Sequence, residues 1–280
     1  MAASSAFRAA RVRRLILHVI TALCVFFVLA PLVVVILNSF SSVSYNKFPP
    51  PGFSLKWYEN IFQVPEFGNS AIYSLVLAAM STVLATVIGA MASYAFVRGR
   101  LFAKGLISGA ILASLVVPKI VLGVGLFVFF AKMGGYGQLW SVVVSHAVIS
   151  LPFVVTLVSA AMVGLDRSLE EASRDLGASP LTTFRQIVLP QIRVSITVGA
   201  LFAFIVSFDQ LESTIFLLKP GTETLPIALF NYTIKHQDPT VAALSSLMIL
   251  FSVVLVIVAA VLLKRGNAME ALRRSQGSQK

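Results

Sequence analysis

Six apolar runs, each long enough to cross a hydrocarbon layer about 30 Å thick, occupy most of this chain: residues 15–37, 70–97, 106–131, 139–164, 194–218 and 241–263. Nothing else in the sequence constrains the fold as strongly, because lipid offers no hydrogen-bond partner and every backbone N–H and C=O must be satisfied within the protein. Runs of this length are expected to be helices, so the expected fold is an all-α integral membrane protein with six transmembrane helices. Composition matters at one point. Only 12% of the 280 residues are charged and 58% are hydrophobic, which leaves too little polar surface to cover a water-soluble domain of this size. The first run exceeds the hydrophobic core of a signal peptide and no small-residue cleavage pattern closes it, so an uncleaved span is expected. Cys24 has no partner cysteine in the chain and is expected to be a small buried hydrophobe.

The net charge of +11 takes its meaning from where the basic residues fall. One side of the spans holds Arg8, Arg11, Arg13 and Arg14, then Arg98, Arg100 and Lys104, then Arg167, Arg174, Arg185 and Arg193, and finally Lys264, Arg265, Arg273, Arg274 and Lys280. The other side holds Lys47, Lys56, Lys132, Lys219 and Lys235. The positive-inside rule then places both termini in the cytoplasm. The expected organisation is a basic cytoplasmic N-terminus (1–14), a six-helix domain (15–263) and a basic cytoplasmic tail (264–280) in a bacterial-type plasma (inner) membrane. The basic excess is an orientation signal and an attraction to anionic lipid, and nucleic acid is not expected as a partner. Small residues recur every fourth position at Ser81, Ala85, Gly89 and Ser93, and again at Gly105, Gly109 and Ala113. That spacing lets helix backbones approach closely, so both stripes are expected to pack within the chain or against another subunit.

The longest connection on the basic side, residues 165–193, is charged yet helical in pattern. Glu170, Glu171 and Arg174 lie on a first short helix that Gly177 can end in the left-handed conformation. Ser179 is then an N-cap with Pro180 at the first helical position, and the second helix is expected to run to Leu189 and Pro190. Ala172, Leu176, Leu181, Phe184 and Val188 give this hairpin an apolar ridge suited to a groove on a cytoplasmic partner.

These residues carry a resemblance. Glu171, Ala172 and Ser173, then Gly177, then Ile187, Leu189 and Pro190 follow the spacing of the E-A-A signature of integral membrane permeases of binding-protein-dependent ABC importers, with Ser173 in place of the second alanine. The segments 49–62, 116–126, 207–210 and 225–230 look like the polyamine (spermidine/putrescine-type) branch of that family. The resemblance implies a type I (MetI-like) permease fold and a transport function by alternating access. It implies docking of the 165–193 hairpin onto a cytoplasmic homodimer of ABC ATPases, with Glu171 meeting a basic group there. It also implies a second permease subunit, a different chain in this branch, and an extracytoplasmic solute-binding protein. The chain has no G-x-x-x-x-G-K-[ST] phosphate cradle, so ATP and Mg are expected at the partner ATPase and no cofactor on this chain. Nor has it a G-x-S-x-G or H-E-x-x-H motif, and His18, His146 and His236 fall in separate segments, so neither a catalytic nor a metal site is expected. A secondary transporter or channel that needs no ATPase is the alternative.

Four ionisable residues stand out within the apolar runs: Lys119, His146, Asp209 and Glu212. Such residues are costly in lipid and mark candidate translocation paths. Counting rises of about 1.5 Å per residue puts Lys119, His146 and Asp209 at a similar depth, and Asp209 and Glu212 are expected to share a helix face. Lys119 and Asp209 either form an ion pair that holds two helices together or line the path. The polyamine-type resemblance implies an acid where this chain has Lys119. A lysine there repels a polycation and welcomes an anionic group, so the expected solute is a small charged organic compound, with polyamines and amino or phosphonate compounds as candidates.

Overall fold

The computed structural model describes residues 2–99 and 101–277, and the side chains of residues 13–99 and 101–265. The side chains of Arg8, Arg11, Arg100, Arg273, Arg274 and Lys280 lie outside the described residues. The regular elements of the described chain are helices, with an antiparallel bridge between Ser41 and Phe53 as an extended pairing. It divides into two compact units, Met1–Pro65 with Asn231–Ile249, and Glu66–Phe230 with Leu250–Lys280.

In the first unit, α1 (Ala2–Asn38) has an apolar span at Arg13–Asn38 that is 0% buried. Cys24 on it is exposed, contrary to expectation, because α1 presents its apolar side chains outward, as a lipid-facing helix can without penalty. After it, α2 (Lys56–Gln63) is short and amphipathic, burying Trp57 and Ile61 while Phe62 is exposed. Trp57 donates its indole N–H to the Ser41 carbonyl at 2.7 Å and Asn60 donates to Thr240 Oγ1 at 2.8 Å.

The second unit begins with α3 (Pro65–Arg98), followed by α4 (Lys104–Val116) and α5 (Lys119–Lys132). The run 106–131 is therefore a pair of helices that meet at 117°. Pro118 has no N–H to continue the ladder and drives Val117 into extended backbone (ψ 130°). Next come α6 (Leu139–Val163), α7 (Ser168–Asp175), α8 (Pro180–Thr183), a π-helical turn (Phe184–Val188) and α9 (Leu189–Phe208). Elements α8 to α9 form one apolar helix, Pro180–Phe208. Pro190 consequently does not end the hairpin. It sits in the first turn of α9, and Leu189 N–H is satisfied across the π turn by the Phe184 carbonyl. The chain closes with α10 (Thr214–Leu217), α11 (Leu225–Lys235) and α12 (Thr240–Gly277). Among the described residues five helices are long and apolar enough to cross a membrane, and the count is six where the bent α4–α5 pair serves as one broken span.

Helix α6 runs through the core of this unit, with Val154, Val158 and Met162 packed among Ala85, Val188, Ile192 and Ala203. Small residues bring its neighbours close. A Cβ at Gly89 would lie 2.7 Å from Val154 Cγ1, and one at Gly199 3.2 Å from Val154 Cα. Ser81, Ala85 and Ser93 of the α3 stripe are likewise buried, Ser93 donating to the carbonyls of Gly89 at 2.7 Å and Val155 at 3.2 Å. The α4 stripe behaves differently. No residue of α4 is buried, and Gly105 and Gly109 face open space.

Candidate functional site

Two places in the second unit gather the residues singled out from the sequence. The first is the hairpin 165–193. Gly177 takes φ +85°, and Gly177 N–H reaches the Arg174 carbonyl at 2.8 Å while Ala178 N–H reaches that of Ser173 at 3.1 Å. This is the paired capping that a left-handed glycine permits at a helix end. Ser179 Oγ accepts the Thr182 N–H at 3.2 Å, starting the second arm as its sequence requires. Ser173, the departure from the alanine pattern, uses its hydroxyl: Ser173 Oγ and Thr183 Oγ1 are 3.0 Å apart and hydrogen-bond one arm to the other.

The apolar ridge expected along the hairpin divides in two. Leu176 and Leu181 point outward, 89% and 66% exposed, and Leu169, outside that ridge, is exposed as well. Val188 is buried, and Phe184 packs edge-on against Tyr94 with ring centres 5.2 Å apart. The two neighbouring glutamates also part. Glu171 is exposed and paired loosely with Arg167 at 3.2 Å, one helical turn away. Glu170 is buried against Arg98, whose Nε donates to Glu170 Oε1 at 2.7 Å. The remaining motif residues frame this surface, with Ala172 and Pro190 exposed and Ile187 and Leu189 half-buried.

The second place is where two helices break. Lys119 opens α5 immediately after the Pro118 bend, and α9 ends at Phe208, so Asp209 caps it and Glu212 stands on the irregular turn 209–213. Asp209 and Glu212 thus share a turn rather than a helix face, and the chain turns there before α10. A Cβ at Gly123 would lie 2.8 Å from the Glu212 carbonyl oxygen and from Ser213 Cα, so α5 seats directly on that turn. Lys119, one helical turn before Gly123, is thereby brought close enough to act electrostatically on Asp209. Lys119 and Asp209 are exposed, and Glu212 is half-buried and accepts the Gln210 side-chain N–H at 3.1 Å. Ion pairs close within 4.0 Å at Arg98–Glu170 and Arg167–Glu171, and none is seen between Lys119 and Asp209.

His146 is buried beside the same turn. It is 1% exposed, with Nδ1 2.8 Å from Ser207 Oγ and Nε2 2.8 Å from Thr214 Oγ1. One imidazole thereby ties the last turn of α9 to the first turn of α10, and Thr214 Oγ1 donates onward to the Gln210 carbonyl at 2.7 Å. Arg98, Gly123 and Gln210 are structural parts of these places that sequence reasoning missed. Glu170 beside Glu171 was the one available signal.

A helical membrane chain with this bent pair, this continuous hairpin-to-span helix and this cytoplasmic-type signature is a type I importer permease. The family described as binding-protein-dependent transport system inner membrane component matches residues 85–266. The chain belongs to that family, and is a permease subunit of an ABC importer. It is 31% identical over 237 residues to the spermidine/putrescine transport system permease protein PotC of Haemophilus influenzae, covering 85% of this chain and 92% of that one. To PotC of Escherichia coli it is 33% identical over 227 residues, covering 81% and 86%. A solved bacterial ABC transporter involved in the import of the acidic polysaccharide alginate contains a chain of similar fold, with TM-score 0.67, 14% identity and coverage of 92% and 97%.

Proposed function

We propose that this chain forms half of an ATP-driven import path in a bacterial inner membrane, its termini and hairpin in the cytoplasm, and that it carries a small organic solute bearing an amino group. The observation that carries the transport reading is the hairpin. It is built from two capped arms, it exposes Leu176 and Leu181 with Glu171 close by, and its second arm continues unbroken into α9. A groove on a cytoplasmic ATPase homodimer would take that ridge, and closure around ATP and Mg there would move α6 and α9 as rigid bodies. A second, different permease and an extracytoplasmic solute-binding protein complete the assembly.

The solute reading rests on the approach of Lys119 to the 209–213 turn. Two carboxylates, Asp209 and Glu212, lie within electrostatic reach of each other and of one ammonium, which leaves a local excess of negative charge that favours an amine. The relatives named for spermidine and putrescine agree with that sign. Lys119 favours a second reading, a solute that carries an anionic group besides its amine. Reconstitution of the complete transporter in vesicles tests both. ATP-dependent uptake of labelled putrescine or spermidine is expected under the first, and uptake of an amino acid or aminophosphonate in preference to either polyamine under the second. Uptake that needs no ATPase would overturn the importer assignment.

A further inference from the structure

We infer that Arg98 and Glu170 are the joint through which the hairpin moves α3, a coupling route separate from its covalent links to α6 and α9. The inference rests on the reading of the hairpin as the ATPase dock. Helix α3 is not adjacent to the hairpin in the chain, so any motion it shares must pass through side chains.

Two such contacts leave one face of α3. Arg98 donates through Nε to Glu170 Oε1 at 2.7 Å, on the first arm, and through Nη2 to the Leu165 carbonyl at 3.4 Å, where the chain leaves α6. Tyr94, four residues earlier and hence on the same face, meets Phe184 on the second arm at 5.2 Å. The Ser173–Thr183 hydrogen bond closes the figure by fixing the arms to each other. The hairpin is therefore gripped at both arms by a single helix.

The charged contact decides how the joint behaves. Apolar surfaces slide past one another at little cost, but a guanidinium and a carboxylate that are 11% and 4% exposed keep their stability only while hydrogen-bonded to each other. A displacement of a few ångströms would strand both. The hairpin and the end of α3 accordingly move together. At its far end α3 accepts the Leu225 N–H on Ser74 Oγ at 2.7 Å. From Tyr94 to Ser74 is about 30 Å of helix, so a push at the hairpin reaches the start of α11.

The test uses the complete transporter in vesicles, reading solute moved per ATP hydrolysed, retention of the ATPase subunit and thermal stability. Replacing both residues by Met (Arg98→Met with Glu170→Met) removes the charges without orphaning either, and such replacements are commonly tolerated. The double variant is expected to assemble, melt near the unaltered protein and hydrolyse ATP, while solute moved per ATP falls about tenfold. The reversed pair, Arg98→Glu with Glu170→Arg, should restore most of it. Unchanged coupling in the Met pair overturns the joint. Should the Met pair fail to assemble, Tyr94→Cys and Phe184→Cys in a Cys24→Ser background, bridged by a short bifunctional thiol reagent, decide the matter. Bridging is expected to leave uptake intact, and its loss on bridging would show that the two elements must separate. Gly177→Val distinguishes the underlying reading: normal coupling in that variant overturns the dock itself, whereas lost coupling there with full coupling in the Met pair overturns only the joint.

Discussion

Lys119 and Asp209 show how one residue position can be read two ways until its surroundings are known. Both side chains are exposed and no ion pair closes between them within 4.0 Å, so single alanine changes should leave thermal stability within about 0.5 kcal/mol. Uptake should respond instead. Asp209→Asn is expected to lower transport of an amine by about tenfold or more, while Lys119→Asp should raise polyamine uptake relative to any solute with an anionic group. A double-mutant cycle read on both stability and uptake checks this, and a large coupling in stability with none in uptake would return the pair to a structural role. His146 belongs to the opposite case. His146→Ala removes two hydrogen bonds and opens a cavity between α6, α9 and α10, so a loss of about 2–4 kcal/mol is expected in thermal or denaturant unfolding. At Gly123 even a methyl group meets backbone at 2.8 Å. Gly123→Ala should shift the 209–213 turn and alter solute preference in competition assays, although it touches no charge.

At the scale of elements, the hairpin owes its shape to one residue in the left-handed region. Gly177 takes φ +85° with open space around it, so a β-branched residue there would be strained by its own backbone and not by its neighbours. Gly177→Val is expected to abolish coupling with little loss of assembled membrane protein, checked by uptake per ATP and by yield. The start of α7 carries a pH dependence. Asp166 accepts the Ser168 N–H at 2.9 Å, and its hydrogen bonds with Ser168 hold its carboxyl below the usual carboxylate range. A folded value below the unfolded one means that the bond stabilises the hairpin above the unfolded carboxylate range and is lost as pH falls through the lowered value. Amide exchange in residues 168–171 should quicken across that acid window, and Asp166→Ala should show the fast rate at neutral pH. The hairpin was legible because capping is local chemistry. The bend at Pro118 and the end of α9 were not foreseen, since residues 106–131 and 194–218 are apolar across both breaks and hydropathy does not register a turn.

Across the whole molecule, exposure of the apolar spans sets what the surroundings must supply. The α1 span is 0% buried in the chain and holds the single cysteine of the sequence. Cys24 should therefore react with a lipophilic maleimide in intact membranes and resist a charged one, and rapid labelling by the charged reagent would place α1 beside water. Orientation has a parallel check. A cysteine placed at Ser275 of the basic tail, in a Cys24→Ser background, should be labelled only from the cytoplasmic face. The open stripe at Gly105 and Gly109 is surface that this chain leaves without an internal neighbour, unlike the α3 stripe, which had the same spacing in sequence.

That contrast marks the division. Hydrophobic length marked out the candidate crossings, the basic residues their expected orientation, and Gly177, Ser179 and Pro180 the shape of the hairpin, because each acts over a few residues or through the membrane itself. Only the tertiary structure decided that Glu170 is buried while Glu171 is exposed, that one glycine stripe packs and the other does not, and that Asp209 and Glu212 stand on a turn against α5. Those outcomes depend on which helix happens to lie opposite, and a buried charge or a close backbone approach is settled by the neighbour at least as much as by the residue.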